Sequence, residues 1–355
     1  MPAPAVREVV PPPAVHAELA SSLQRLTCLE VTCVRPVRPT PSDGTKGVAP
    51  FLSGVLPRLT LLRRLALCCD SQAPENATQG PQHAPADFLS HLSHLGSLQL
   101  TGSTLCCGAV CRAVAGLSTL TSLALDLQGS PAVGAEGFSS LVTLQALTVT
   151  YFVGAAELVR IMHAVKHLSH SLRHLHIAPG ISDPHTFEFE QVKVSVEQFG
   201  DITRGVAALT RLRSVTIAHV AFADGCAASL ASALVQLRML QDLALPHNDL
   251  QKHDVEELAH AWCRLPELRR VDLSFNRLTS GVVHRMAHGA LGQVQGLKEL
   301  RYDHQMKRHQ CPCCYQFYFR YFWGDRRGEP CAVCDWPLDE IGSGAAYSDL
   351  SLIHI

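Results

Sequence analysis

A recurring phrase, Leu-x-x-Leu-x-Leu with Ile or Val variants, constrains this chain more than any single residue does. Its clearest copies begin at Leu212, Leu240 and Leu268, and the two intervals between them are identical. Weaker copies begin at Leu26, Leu62, Leu95, Leu120, Leu144 and Leu172, and a tenth at Leu297 carries Tyr302 as its third apolar residue. Each phrase predicts a short strand with alternate side chains inward, while the rest of the unit returns along the other face of a stack. An asparagine, Asn248 or Asn276, follows two of these strands, where its side chain is placed to hydrogen-bond backbone groups of the stack.

These phrases resemble the leucine-rich repeat family. The regular interval with a helical return, read over His253–Arg264, is similar to its ribonuclease-inhibitor-like subclass. The resemblance covers residues 23–305 and implies an α/β solenoid, a horseshoe or arc with parallel strands on the concave face and helices on the convex face. Before Leu172 the spacing is looser: the intervals that open at Leu26 and Leu62 are longer than the regular one, and those at Leu95 and Leu120 are shorter. No unit there keeps the asparagine. The interval from Leu172 to Leu212 is the longest in the chain. Its surplus, including Pro184–Val196, alternates apolar and polar and predicts a strand, either a binding element or a hairpin that pads the edge.

Five of the 14 cysteines crowd into the C-terminal region, as Cys311-Pro-Cys313-Cys314 and Cys331-Ala-Val-Cys334. Two Cys-x-x-Cys knuckles at this separation place four thiolates tetrahedrally, which suits Zn2+, with iron as the alternative. Cys311, Cys314, Cys331 and Cys334 are the expected ligands; Cys313 falls outside the first set, and His304 and His309 are alternates. Four sulfur ligands leave no position for water, so the zinc is structural. The segment also resembles a small cysteine-rich domain family named for its Cys-Pro-Cys-Cys motif, through that motif, the later Cys-x-Val-Cys and Trp336. It implies a small zinc-ribbon-like domain over residues 306–340. Between the knuckles, Tyr315–Trp323 holds seven aromatics in nine residues and predicts a strand that covers the metal site or the last repeat. The alternative is base stacking, aided by Lys307, Arg308, Arg320, Arg326 and Arg327.

Composition enters as a limit on partners. With 47% hydrophobic residues, 17% charged and a net charge of −1, the 355-residue chain carries no bulk attraction for nucleic acid or an anionic membrane. No apolar run is long enough to span a bilayer, and the proline-rich residues 1–22 lack the plan of a signal peptide, so no membrane role and a cytoplasmic or nuclear location are expected. In such a compartment the nine scattered cysteines are expected to be small buried apolar residues. Residues 341–355 form a tail whose last six, Leu350–Ile355, read as translated sequencing adaptor and are excluded from functional reasoning.

The third, fifth and seventh positions of each phrase are expected on the concave face. They supply the candidate partner-binding residues His174, His176, Asp242, Arg270, Asp272 and Ser274. No paired-carboxylate motif, nucleophile–base motif or phosphate loop accompanies them. The expected function is therefore a non-enzymatic intracellular scaffold for a protein partner. A nucleic-acid module built on the aromatic zinc segment, or an adaptor in ubiquitin ligation or GTPase regulation, are the alternatives.

Overall fold

The computed structural model describes residues 26–33, 56–69, 86–102, 108–127, 135–150, 154–179, 191–278, 294, 296–302, 307–310, 317–320 and 352–354. A strand begins two residues after the first leucine of each of the ten phrases. The chain forms two compact units, residues 1–153 with 160–172 and residues 154–159 with 173–355.

The first unit stacks β1 (Cys28–Cys33), β2 (Arg64–Cys69), β3 (Ser97–Thr101), β4 (Ser122–Asp126) and β5 (Ala146–Thr150) as parallel neighbours in register. Position four of the phrase packs inward, so Leu65, Leu98, Leu123 and Leu147 are at most 2% exposed. The leucines that open the same four phrases are fully buried. The interval from Leu120 to Leu144, the shortest in the chain, leaves no room for a full helical return and uses the 3-10 turn Ala135–Ser140. The preceding unit manages only the two-turn helix α1 (Gly108–Val114). In these shortened units threonine does the stapling. The hydroxyl of Thr119 bonds the carbonyls of Ser93 and Leu95, both at 2.9 Å, and that of Thr143 bonds those of Ser118 and Leu120 at 2.8 and 2.9 Å.

In sequence, α2 (Ala155–Val165) leads from β5 towards β6 (His174–Ala178). The second unit pairs β6, β8 (Ser214–Ile217), β10 (Asp242–Ala244), β11 (Arg270–Asp272) and β12 (Glu299–Arg301) as parallel neighbours. Its returns are full helices: α3 (Val196–Ala208), α4 (Cys226–Leu234) and α5 (Lys252–Trp262), the last close to the expected 253–264. Ser195 and Gln198 close a reciprocal capping box on α3 at 3.2 and 3.1 Å, satisfying two backbone donors that a helix start leaves open. Gly225 opens α4 at φ 83°, a left-handed angle that a side chain would strain.

Asn248 and Asn276 are fully buried and join successive turns. Asn276 Oδ1 accepts from the backbone N–H of Asn248 and Leu250 at 3.0 and 3.1 Å, while its Nδ2 donates to the carbonyls of Leu245 and Leu273 at 2.8 Å. Asn248 repeats the pattern one unit earlier, accepting from Val220 N at 2.9 Å and donating to Ile217 O at 2.6 Å.

Two expectations need correction. The predicted strand through Val196 is observed only as β7 (Val192–Lys193), parallel to β9 (Val220–Ala221), because Ser195 caps α3 and commits Val196 to helix; residues 180–190 lie outside the described residues. Cys226 is buried as expected, whereas Cys28 and Cys263 are exposed and Cys68 is half-buried. Cys28 stands at the outward third position of its phrase, and Cys263 follows the last turn of α5. Leu352–His354, within the adaptor-like hexapeptide, form β15 antiparallel to β12, whose open edge offers unpaired backbone groups to any extended apolar segment.

β13 (Lys307–Gln310) pairs antiparallel with β14 (Phe317–Arg320), with Gln310 opposite Phe317. Cys311 and Cys314 fall between these two strands in sequence. All four expected zinc ligands lie outside the described residues.

Candidate partner-binding surface

The parallel register of the second unit turns two phrase positions into two columns. Position three runs His174, Ser214, Asp242, Arg270, Glu299, and position five runs His176, Thr216, Ala244, Asp272, Arg301. Alternation along each strand keeps these side chains off the core while Leu175, Val215, Leu243, Val271 and Leu300 are buried beneath them. Ser214, Thr216, Asp242, Arg270, Asp272, Glu299 and Arg301 line one shallow depression.

Charge alternates from strand to strand. Arg270 grips Asp242 through two bonds, Nε to Oδ1 at 2.5 Å and Nη2 to Oδ2 at 2.9 Å. That hydrogen bonding, followed by the attraction of the Asp242 charge, raises the Arg270 pKa further above its ordinary value. Arg301 Nη2 lies 3.3 Å from Glu299 Oε1. Asp272 accepts from the backbone N–H of Ser274 at 2.9 Å. Exposed pairs such as these contribute about 0–1 kcal/mol each to stability. Their consequence is a surface whose charge alternates in sign from strand to strand.

The structure thus brings Asp242, Arg270 and Asp272 together and sets His174 and His176 at the β6 end of the same columns. Ser274 is corrected: it is only 3% exposed. Its strand ends at Asp272, so inward–outward alternation no longer governs position seven, and its carbonyl accepts from His247 N and Asn276 Nδ2, both at 3.2 Å. Glu299 and Arg301 belong to the surface and were missed. They occupy the third and fifth positions of the tenth phrase, where Tyr302 weakens the pattern. Among the described residues no three His, Cys, Asp or Glu side chains come together as a metal site, so His174 and His176 gain no third ligand there.

A second row, at position eight of three consecutive units, was also missed. His219, His247 and Phe275 all adopt left-handed backbone angles, φ 58–59°. Their rings stack, with centroids 4.3 Å apart for the two histidines and 4.1 Å for His247 on Phe275. Burial, and then the neighbouring His176, lower the His219 pKa to about 4; burial, and then His219, lower that of His247 to about 3. The C-terminal part of the insertion is tied to this row, since Val192 N donates to His219 O and Gln191 Nε2 to His247 O, both at 2.9 Å. The signal was present in sequence as an aromatic or imidazole ring recurring once per regular unit.

No family model matches the chain, and no curated protein matches it in sequence. Among solved structures, an internalin from Listeria monocytogenes is similar at 17% identity and TM-score 0.39, over 71% of this chain and 64% of that one. A TLR13–ssRNA complex is similar at 17% identity and TM-score 0.42, over 70% of this chain and 33% of TLR13. A protein from Bacteroides fragilis gives 15% identity and TM-score 0.43, over 73% of this chain and 68% of its own. The chain therefore spans less than two thirds of the first two proteins.

Proposed function

We propose that this chain is a non-enzymatic protein-interaction scaffold whose contact surface is the strand face of the second unit. The observation that carries the reading is the alternating lattice of Asp242, Arg270, Glu299 and Arg301, held on a regular backbone ladder. Such a lattice does little for stability and presents a fixed charge pattern to a complementary protein. Affinity capture from the source lysate tests it. Reversing Asp242, Arg270 and Asp272 together is expected to weaken capture of a specific protein by about tenfold or more. Unchanged capture removes this face from the function.

The equal spacing of the phrases at Leu212, Leu240 and Leu268, with the helical returns α4 and α5 between them, supports the ribonuclease-inhibitor-like reading for the second unit. The exposed thiol of Cys28 suits a reducing compartment, consistent with a cytoplasmic site of action. For the C-terminal segment, Cys311, Cys314, Cys331 and Cys334 are proposed to hold a structural Zn2+. The antiparallel pairing of β13 with β14 supports this, because the first Cys-x-x-Cys pair falls between those two strands in sequence. Chelation is then expected to make residues 306–340 protease-sensitive while the repeats stay resistant. Identical digestion patterns with and without chelator would count against a metal there.

A further inference from the structure

We propose that the strand-entry rim of the second unit is a docking surface for an extended acidic protein segment, separate from the concave lattice. The rim is built by two regular features. First, the backbone N–H at position two of each phrase donates to the position-two carbonyl of the unit before: Arg213 to Arg173 at 2.7 Å, then Gln241 to Arg213, Arg269 to Gln241 and Lys298 to Arg269, each at 2.8 Å. Five residues, one from each successive unit, are thereby stacked at the strand spacing of about 4.8 Å, and four of them are cations. Second, a tight turn precedes each phrase, with Leu212 N bonded to Leu209 O and Leu240 N to Leu237 O at 3.0 Å. These turns place Arg211 and Arg238 in solvent beside the ladder, and Arg264 joins them one unit on.

The rim's charge is largely uncompensated. Among the described residues, Arg173, Arg211, Arg213, Arg264 and Lys298 have no ion-pair partner. Among the described residues Glu267, 3.7 Å from Arg269, is the one carboxylate paired there, and Arg238 donates to the neutral carbonyl of Arg264 at 3.1 Å. Stacked like charges repel at this spacing, and a chain of net charge −1 has no compositional need to gather them. The adjacent concave columns pair opposite signs, Asp242 with Arg270 across two strands and Glu299 with Arg301 within one, so the one-sign rim is a local feature of the position-two ladder. Arginine's planar fork matches carboxylates bidentately. Met239, 43% exposed beside Arg238, adds an apolar contact of the kind that anchors a peptide side chain. The described rim residues include no aromatic ring for a base to stack on, so charge and apolar contact together favour an acidic protein segment over a polynucleotide.

The test uses the full chain and fluorescence anisotropy with three probes: a short labelled poly-Glu peptide with one central Leu, the same peptide without Leu, and oligothymidylate of equal charge. The wild type is expected to bind both peptides. The Arg213→Glu/Arg269→Glu variant, with an unchanged circular dichroism spectrum, is expected to bind them about tenfold more weakly or worse. The milder Arg213→Gln/Arg269→Gln pair is expected to fall between. Met239→Ser should weaken only the Leu-containing peptide. Exchanging the concave pair, Asp242→Arg with Arg270→Asp, should leave all peptide affinities unchanged. The proposal is overturned if the wild type binds neither peptide, if charge reversal on the rim changes nothing, if the concave exchange abolishes binding, or if oligothymidylate binds more tightly than both peptides.

Discussion

Replacing Asn276 with alanine is expected to destabilise the second unit by about 3–5 kcal/mol, the largest effect of any single polar substitution there. The side chain is fully buried, and its amide satisfies two backbone donors, of Asn248 and Leu250, and the carbonyls of Leu245 and Leu273. Alanine strands the donors of Asn248 and Leu250 and removes a bond from the Leu245 carbonyl, at about 1–3 kcal/mol for each buried group stranded. Asn248→Ala is expected to cost less, since that side chain holds one donor and one acceptor, Val220 N and Ile217 O. The two residues are linked through the bond from Asn248 N to Asn276 Oδ1, so the double variant is expected to lose less than the sum of the single losses. Urea unfolding combined with hydrogen exchange at the amides of Asn248 and Leu250 reads the effect locally, which matters in a repeat array that need not unfold in one step. A loss below about 1 kcal/mol for Asn276→Ala, with both amides still protected, would show that other contacts set the register.

This bond network explains how far the sequence could be read. Leucine at position one is fully buried at Leu62, Leu95, Leu120, Leu144, Leu172, Leu212, Leu240 and Leu268, so its spacing locates the strands even where intervals vary. The asparagine role was equally legible, because one short amide is the side chain that both donates to and accepts from backbone at a tight turn. What escaped the sequence was its substitute. Thr119 and Thr143 staple the shortened units through a single hydroxyl, and threonine before leucine is too common to stand out without the carbonyls it meets. Ser274 was misplaced because alternation was extended two residues past the end of the strand. The rows at positions two and eight were visible only once the regular units were laid over one another, since neither a lone arginine nor a lone histidine is distinctive. Pairing of Asp242 with Arg270 depended on β10 and β11 standing in register, which no single phrase encodes.

Acid is expected to weaken the second unit through the ring ladder, well before general acid unfolding. His219 and His247 have folded pKa values of about 4 and about 3, below the unfolded value of 6.5, so the fold favours neutral imidazoles. Above pH 6.5 both states are neutral and the contribution is fully present. As pH falls from 6.5 towards 3, the unfolded chain binds protons the native ladder refuses, and stability declines. Two such groups would lose about 2.7 kcal/mol per pH unit at the steepest point. Partial solvent access to both rings screens this, and about 1–2 kcal/mol per unit is expected. Other groups titrate in the same range, so the assignment rests on a variant. Phe275 already shows that a phenyl ring occupies this position at φ 58° and stacks on its neighbour, which makes His219→Phe/His247→Phe the conservative replacement. Urea midpoints measured from pH 7 to pH 4 should fall steeply for the wild type and more gently for the double variant, the gap widening as the solution becomes more acidic. Parallel curves would mean that the rings are protonated without disturbing the stack, and that the acid sensitivity of the unit resides in its carboxylates.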